Sequence, residues 1–132
     1  MNQFPVPKRA DMPTDSPILL VQGLKVQVGD LPLLRGVNLE VRSGETLAIV
    51  GESGCGKSMT ALGIMKLLPS GVNIADGSIL YSGFDLTWAS ESQMRQIRGN
   101  EISIIFQDAA SSLNPLMTVR KQLVEAIIAH QS

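Results

Sequence analysis

The sequence predicts an α/β fold in which an apolar strand, a glycine-rich loop and a helix follow one another directly. Residues 46–50 form a short, mostly apolar run, which is typical of a buried central strand. Residues 51–58 read Gly-Glu-Ser-Gly-Cys-Gly-Lys-Ser, and apolar residues recur at helical spacing from Ala61 to Leu68. Pro69 stops that periodicity, so we expect the helix to end there.

The chain before this unit predicts a tail and two strands. Residues 1–17 combine prolines with charged residues and lack apolar periodicity, so we expect a flexible tail, with the domain itself over residues 18–132. A first strand is predicted over residues 18–28, followed by a turn at Gly29 and Asp30. Strict alternation over residues 37–42 predicts a half-buried antiparallel strand. Pro32 lies between these two segments and has no N–H to donate, which argues against a central strand at that position.

The chain after the loop helix predicts four shorter elements. Residues 77–81 are expected to form a strand, and the run from Ser90 to Gln93 matches a capping box for a short helix that Gly99 ends. Residues 102–106 are strongly apolar and predict a second core strand, which leads directly to Gln107. Thr118 is placed to cap a last helix with one apolar side.

Composition narrows the class of protein. A length of 132 residues leaves room for one domain, and a net charge of −1 leaves no basic surface for nucleic acid, so no nucleic-acid partner is expected. One cysteine allows no internal disulfide, as in a reducing cytoplasm. No apolar run approaches the roughly 20 residues that span a bilayer. We therefore expect a cytoplasmic protein whose membrane association, if any, depends on a partner.

The pattern G-x-x-x-x-G-K-S in residues 51–58 is that of a loop that wraps a polyphosphate. Its glycines let backbone N–H groups approach the ligand closely, and the following helix directs its N-terminus at the same charge. Lys57 is predicted to reach the β- and γ-phosphate oxygens, and the Ser58 hydroxyl to ligate Mg²⁺. A plain glycine-rich turn is the alternative, which the flanking strand and helix disfavour. The predicted nucleotide-binding set is Gly51, Glu52, Ser53, Gly54, Cys55, Gly56, Lys57 and Ser58.

Three stretches together resemble the ATP-binding subunit of ABC transporters, within the oligopeptide, dipeptide and nickel importer group. They are residues 44–54, residues 102–107 and residues 112–119, the last reading Ser-Leu-Asn-Pro-Leu-Met-Thr-Val. The likeness extends from about residue 18 to the end. It implies an incomplete RecA-like P-loop NTPase core with an antiparallel β-subdomain and the start of a helical subdomain.

The resemblance also implies cofactors and partners. Gln107 would lie in the glutamine loop and contact Mg²⁺ and the attacking water, and a neutral amide can accept toward the metal while it donates toward water. The implied cofactors are ATP and Mg²⁺. The implied partners are transmembrane permease subunits and a second ATP-binding subunit, identical or different. The chain would then be peripheral on the inner face of the plasma membrane and couple ATP to the import of peptides or related solutes.

Several positions depart from the family pattern. Val28 stands where an aromatic ring usually stacks on adenine, and Ala109 where peptide importers commonly have proline. After Gln107 there is neither a Leu-Ser-Gly-Gly-Gln signature nor an apolar run ending in Asp-Glu, and His130 lacks the context of a switch histidine. The chain therefore resembles the amino-terminal part of a longer subunit, and we do not expect it to hydrolyse ATP alone.

Two other functions remain open at this point. One is a truncated nucleotide-binding module without catalysis, and the other is a different P-loop NTPase such as a kinase or GTPase. The absence of an Asn-Lys-x-Asp guanine reader disfavours the GTPase. Alkylation of Cys55 is predicted to block nucleotide binding sterically. Tyr81 and Trp88 are expected to pack in the fold rather than to stack on bases, because no basic groove accompanies them.

Overall fold

An antiparallel sheet and three helices make up the part of the chain that the structure describes. The computed structural model describes residues 15–54, 56–108 and 112–129. Its elements in chain order are β1 (Leu19–Val28), β2 (Leu31–Val41), α1 (Lys57–Ile64), β3 (Val72–Tyr81), β4 (Phe84–Asp85), α2 (Glu91–Ile97) and α3 (Val119–Ile128). Most of the predicted flexible tail, together with Cys55, Ala109 and His130, lies outside these residues.

The sheet has the strand order β2-β1-β3-β4, and every neighbouring pair is antiparallel. The predicted first strand and the turn at Gly29 and Asp30 are confirmed, with Val28 opposite Leu31 and Gly29 at a φ of 55°. β2 lies at the edge, which is why it includes Pro32 without losing a ladder hydrogen bond. It therefore begins earlier than the alternation over residues 37–42 indicates.

A bulge in β1 sets how closely β1 and β3 approach. Gly23 has a φ of 58°, and the register shifts between Gln22 and Lys25. Gly77 of β3 lies against this bulge, so that a Cβ on Gly77 would lie 2.5 Å from the carbonyl oxygen of Gly23. The Asn38 side chain closes the bulge by accepting a 2.8 Å hydrogen bond from the Gly23 N–H. β3 begins at Val72, five residues before the predicted start.

The hydrophobic core lies between the sheet and residues 86–97, which follow β4 and include α2. Val21, Leu24 and Val26 of β1 face the core, and the bulge at Gly23 accounts for the three-residue spacing between the first two. α2 contributes Met94 and Ile97, and its predicted capping box is confirmed between Ser90 and Gln93. The buried cluster consists of Val21, Leu24, Val26, Leu34, Ile79, Tyr81, Leu86, Ala89, Met94 and Ile97.

Two predictions of strands were wrong. Residues 46–50 and residues 102–106 are not strands. Most of their apolar side chains are exposed, with Val50 at 92% and Ile105 at 91% of full exposure, whereas Ile102 packs against the core. A strand requires a neighbour to take its backbone hydrogen bonds. Among the described residues, these segments have no ladder partner apart from one bridge between Arg98 and Ile102.

The last helix is confirmed, but its packing is not what the apolar side predicts. Thr118 caps α3 by accepting a hydrogen bond from the Lys121 N–H. No residue of α3 is buried, and Val119, Leu123 and Ile127 at successive turns are exposed. None of the helices in the described ranges has the length and apolar content that a membrane crossing needs.

Candidate functional site

The glycine-rich loop connects the exposed segment 46–50 to the first turn of α1. Gly54 and Gly56 have φ values of 81° and 98°, which side-chain-bearing residues rarely adopt, so both positions require glycine. Gly56 is the N-cap of α1 and offers no side chain to cap it. The N–H groups of the first turn are therefore directed at whatever the loop encloses.

Lys57 closes the loop onto itself. Its Nζ donates hydrogen bonds of 2.6 Å to the carbonyl oxygens of Gly51 and Glu52. The ammonium group is thereby held over the start of the loop, although Lys57 is the first residue of α1. Gly51 and Glu52 thus contribute carbonyl groups that orient the lysine.

A cavity of about 300 Å³ opens in front of the loop and brings distant parts of the chain together. Gln107 lies on it with Lys57 and Ser58, although the glutamine follows a different segment of the chain. Its size is at the lower end of the range for small-molecule sites, which is about 300–1,000 Å³. Its described lining is Ser53, Gly54, Gly56, Lys57, Ser58, Met59 and Gln107.

The donor groups of this cavity fit a phosphate ligand with Mg²⁺. The first turn of α1 has no acidic residue, so the lysine charge and the helix N-terminus both favour an anion. Ser58 and Gln107 would offer two neutral oxygen atoms to a metal ion in this cavity. No cluster of three or more His, Cys, Asp or Glu side chains occurs in the described part of the chain. A Mg²⁺ ion here would need phosphate oxygens and water to complete its shell, as Mg²⁺ at nucleotide sites usually does.

Residues outside the cavity lining also fix the start of α1, and the sequence analysis did not identify them. Thr60 is buried and donates two hydrogen bonds to the Gly56 carbonyl oxygen, 2.8 Å from its N–H and 2.9 Å from its Oγ1. Leu34 of β2 packs beside Gly56. A hydroxyl four residues after the N-cap is a signal that the sequence offered, but the contact with Leu34 is visible only in the fold.

α1 ends earlier than the apolar periodicity predicts, at Ile64 rather than near Leu68. Lys66 takes a φ of 50°, its N–H bonds to the Gly63 carbonyl, and the Leu67 N–H bonds to the Leu62 carbonyl. This is the pattern of a Schellman motif. Glycine usually occupies the left-handed position, so a lysine there gives no recognisable stop signal in the sequence.

Arg98 anchors this end of α1 to α2. Its Nε and Nη2 donate to the carbonyl oxygens of Met65 and Lys66 at 2.8 and 2.9 Å, and its Nη1 donates to Glu91 Oε1 at 2.7 Å. The Lys66 ammonium donates in turn to the backbone carbonyls of Thr87 and Ala89. Burial, together with the nearby Arg98 charge, lowers the pKa of Lys66, whereas the hydrogen bond from Arg98 lowers the pKa of Glu91. The helix is therefore fixed at both ends.

Three further residues singled out in the sequence lie away from the cavity lining. Val28 is 38% exposed at the end of β1. Tyr81 is buried as expected, and its hydroxyl donates to Glu101 at 3.1 Å. Trp88 is 84% exposed, so the expectation that it packs in the fold was wrong.

Comparison with known proteins confirms the resemblance. The dipeptide transport ATP-binding protein DppD of Bacillus subtilis (strain 168) is 48% identical over 119 residues, which is 86% of this chain and 36% of that protein. The oligopeptide transport ATP-binding protein OppD of the same organism is 48% identical over 113 residues, or 85% of this chain and 32% of that protein. The chain thus spans about a third of the length of these curated relatives.

Solved structures and a family model agree with these relatives. An ATP-binding subunit of an ABC transporter superposes with a TM-score of 0.59 at 25% identity, covering 86% of this chain and 42% of that one. A bacterial Atm1-family ABC exporter with ATP bound superposes with a TM-score of 0.52 at 26% identity, covering 72% of this chain and 17% of that one. The ABC transporter family model matches residues 34–132, a span that includes the phosphate loop, Gln107 and α3. This chain, with its α/β P-loop fold and antiparallel sheet, belongs to the ABC transporter family.

Proposed function

We propose that this chain binds Mg·ATP as part of the ATP-binding subunit of an ABC importer for peptides or related solutes. The observation that carries the proposal is the convergence of Lys57, Ser58 and Gln107 on one cavity at the N-terminus of α1. The relatives named for dipeptide and oligopeptide transport support the transported class.

Each residue has a role that follows from its chemistry. The backbone N–H groups of the loop and of the first turn of α1 would bind the phosphates, and the Lys57 ammonium would bind the β- and γ-phosphate oxygens. Ser58 and Gln107 would hold Mg²⁺, which when bound neutralises phosphate charge. The Gln107 amide would also orient the attacking water, since it donates as well as accepts.

We propose that hydrolysis depends on groups outside these 132 residues. The sequence has no apolar run ending in Asp-Glu after Gln107 and no Leu-Ser-Gly-Gly-Gln signature. The matched relatives are about three times longer, which leaves room for both. The proposed partners are transmembrane permease subunits and a second ATP-binding subunit. Through the permease, the subunit would lie on the inner face of the plasma membrane.

The single cysteine of the chain provides a direct test. Cys55 lies between Gly54 and Gly56, which line the cavity, so its alkylation reports on the loop without any substitution. We expect saturating Mg·ATP to slow alkylation of Cys55, and GTP to slow it less. We also expect the fully alkylated chain to lose ATP binding, measured by isothermal titration calorimetry.

The outcomes separate the competing functions. An alkylation rate that Mg·ATP leaves unchanged, or full ATP affinity after complete labelling, would refute the proposed site. Stronger protection by GTP than by ATP would instead favour another class of P-loop NTPase. Free magnesium without nucleotide serves as the control, because the metal alone does not cover the loop.

A further inference from the structure

The side chain of Leu34 packs against the phosphate loop from the side of the antiparallel sheet. Leu34 lies on β2 opposite Val26, and its side chain is buried, with 4% exposure. Its Cδ2 atom lies only 2.5 Å from the point where a Cβ on Gly56 would stand. A side chain at residue 56 would therefore collide with Leu34, whatever its effect on the ligand.

Gly56 is held on its other side by α1. The Gly56 carbonyl oxygen accepts both hydrogen bonds from Thr60 described above. These bonds prevent the residue from moving away from the helix, and Leu34 limits its movement toward the sheet. Gly56, with its φ of 98°, is thus held by hydrogen bonds on one side and by packing on the other.

The face of α1 that meets the sheet carries small side chains. Gly56, Thr60 and Gly63 follow one another at spacings of four and three residues, so they lie on the same side of the helix. Thr60 and Gly63 are the buried residues of α1, and a Cβ on Gly63 would lie 3.5 Å from Leu24 Cδ2. The backbone of α1 consequently approaches the sheet closely, and Leu34 is a large side chain that packs beside its N-cap residue, Gly56.

We propose that Leu34 is a positioning residue for nucleotide binding, a role that rests on the proposed function. Its side chain sets the distance between β2 and Gly56, and hence the direction of the N–H groups at the start of α1. Leu34 is not among the residues that line the cavity, so it acts through Gly56 and not by touching the ligand. Without it, the loop end of α1 settles toward the sheet, and the phosphate-binding groups lose their alignment.

The test compares Leu34→Ala with Leu86→Ala. Leu86 is a buried leucine of the same core, so its truncation removes the same atoms without touching the loop. We expect Leu34→Ala to raise the Kd for Mg·ATP by about tenfold or more, because small misplacements of binding groups have large effects. We expect Leu86→Ala to change that Kd by less than about threefold. Both are measured on the full chain where circular dichroism shows it folded.

Milder variants keep the test decisive if either alanine variant fails to fold. Leu34→Val and Leu86→Val remove less of each side chain and are compared in the same way. Leu34→Met refills the space with a flexible side chain of similar volume, and we expect it to restore Mg·ATP affinity to within about threefold of the wild type. Restoration by methionine would show that the volume packed beside Gly56 is what matters, and the Leu86 variants separate this role from a general loss of stability.

A substitution pair tests the contact without any ligand. Gly56→Ala is expected to lower the Tm of the wild type by more than it lowers the Tm of Leu34→Ala, because the truncated leucine no longer meets the added methyl group. Equal Tm decreases in the two backgrounds would overturn the contact.

The binding data distinguish the failure of this inference from that of the proposed function. Equal Kd changes for the Leu34 and Leu86 variants, or no change for either, would overturn the positioning role while leaving Mg·ATP binding intact. A folded wild-type chain that binds no Mg·ATP would overturn the proposed function and the positioning role together.

Discussion

Lys57 combines two tasks within one side chain. In the structure its ammonium group bonds to the carbonyls of Gly51 and Glu52, and a phosphate ligand would offer it charged oxygens instead. Arginine could not substitute for it easily, because the planar guanidinium is larger and directs its donors as a fork. In the proposed site the lysine would therefore couple the shape of the loop to the charge of the ligand.

We predict that Lys57→Ala weakens Mg·ATP binding by about 1.5–3 kcal/mol, since it removes a hydrogen bond between charged groups. Lys25→Ala is the matched control, because Lys25 is an exposed lysine paired with Asp76 on the sheet. Isothermal titration calorimetry on both variants measures the difference. A Kd for Lys57→Ala equal to that of Lys25→Ala would contradict the role assigned to the loop lysine.

Gly77 shows that steric space and backbone conformation are separate requirements. Its φ is 95°, and a Cβ would lie 2.5 Å from the Gly23 carbonyl oxygen. Gly71 has a similar φ of 82°, yet nothing lies within 4 Å of its Cβ position. Both glycines are needed for their φ, but only Gly77 is needed for its lack of a side chain.

We predict that Gly77→Ala reduces the free energy of unfolding by more than Gly71→Ala does. Gly71→Ala is expected to cost about 1 kcal/mol for the left-handed conformation alone. Gly77→Ala adds a collision with backbone atoms that cannot rotate away, for a total of about 3 kcal/mol or more. Urea unfolding followed by circular dichroism compares them, and equal losses would show that the strands separate at little cost.

At the scale of elements, Arg98 links α1 to α2 and compensates for an unusual helix end. The left-handed conformation of Lys66 costs about 1 kcal/mol. That cost is offset by the bonds from Arg98 to the Met65 and Lys66 carbonyls and by the bonds of the Lys66 ammonium. The position of α1 thus depends on Arg98, which lies 32 residues after Lys66 in the chain.

We predict that Arg98→Gln lowers the free energy of unfolding by about 2 kcal/mol or more, because a largely buried guanidinium loses its bonds to the Met65 and Lys66 carbonyls and to Glu91. Arg95→Gln, three residues earlier on α2, is the control, since Arg95 is exposed and makes only a long pair with Glu91. Its effect is expected to be within about 0.5 kcal/mol. Thermal unfolding that does not distinguish the two variants would argue against the anchor.

The ion pair between Arg98 and Glu91 predicts a dependence of stability on pH. Because the pKa of Glu91 is lowered in the folded state, its contribution is present above the ordinary carboxylate pKa and is lost as the pH falls through the folded-state value. We predict that Glu91→Gln makes stability fall less steeply between about pH 5 and pH 3. Asp76, whose pKa is also lowered by Lys25, titrates in both proteins and cancels in the comparison. Parallel curves would contradict the prediction.

At the scale of the whole molecule, apolar side chains from three segments are exposed. Residues 46–50 and 102–106 flank the phosphate loop and Gln107, and α3 adds its own apolar side. Exposed apolar groups in such number promote association, whereas single exposed residues are ordinary. Two of these segments adjoin the phosphate loop and Gln107. The proposed nucleotide binding and self-association would therefore involve neighbouring parts of the chain.

We predict that the chain expressed alone is poorly soluble or partly unfolded and associates as its concentration rises, as measured by light scattering. Ile105→Asp is expected to reduce association at little cost in folding stability, because Ile105 is 91% exposed. Trp88→Gln, which removes an isolated exposed aromatic, is the control and is expected to have less effect. A sharp thermal transition with monomeric behaviour at high concentration would count against the prediction.

Local signals were sufficient for much of this fold. The alternation in residues 37–42 indicated β2, the Ser90 capping box indicated α2, and Thr118 indicated the start of α3, because each signal depends on neighbours in the chain. The glycine, lysine and serine positions of the loop likewise specify their chemistry within eight residues. The same reasoning failed for residues 46–50 and 102–106, since an apolar run becomes a strand only beside a partner.

The sequence by itself therefore determined the loop, its candidate ligand and the family, because those depend on residue types at short, set spacings. Only the tertiary structure decided that Gln107 shares a cavity with Lys57 and Ser58, that Leu34 packs beside Gly56, and that Arg98 fixes the end of α1. These contacts join residues far apart in the chain. Their distances arise from how the sheet and helices pack, which no local pattern encodes.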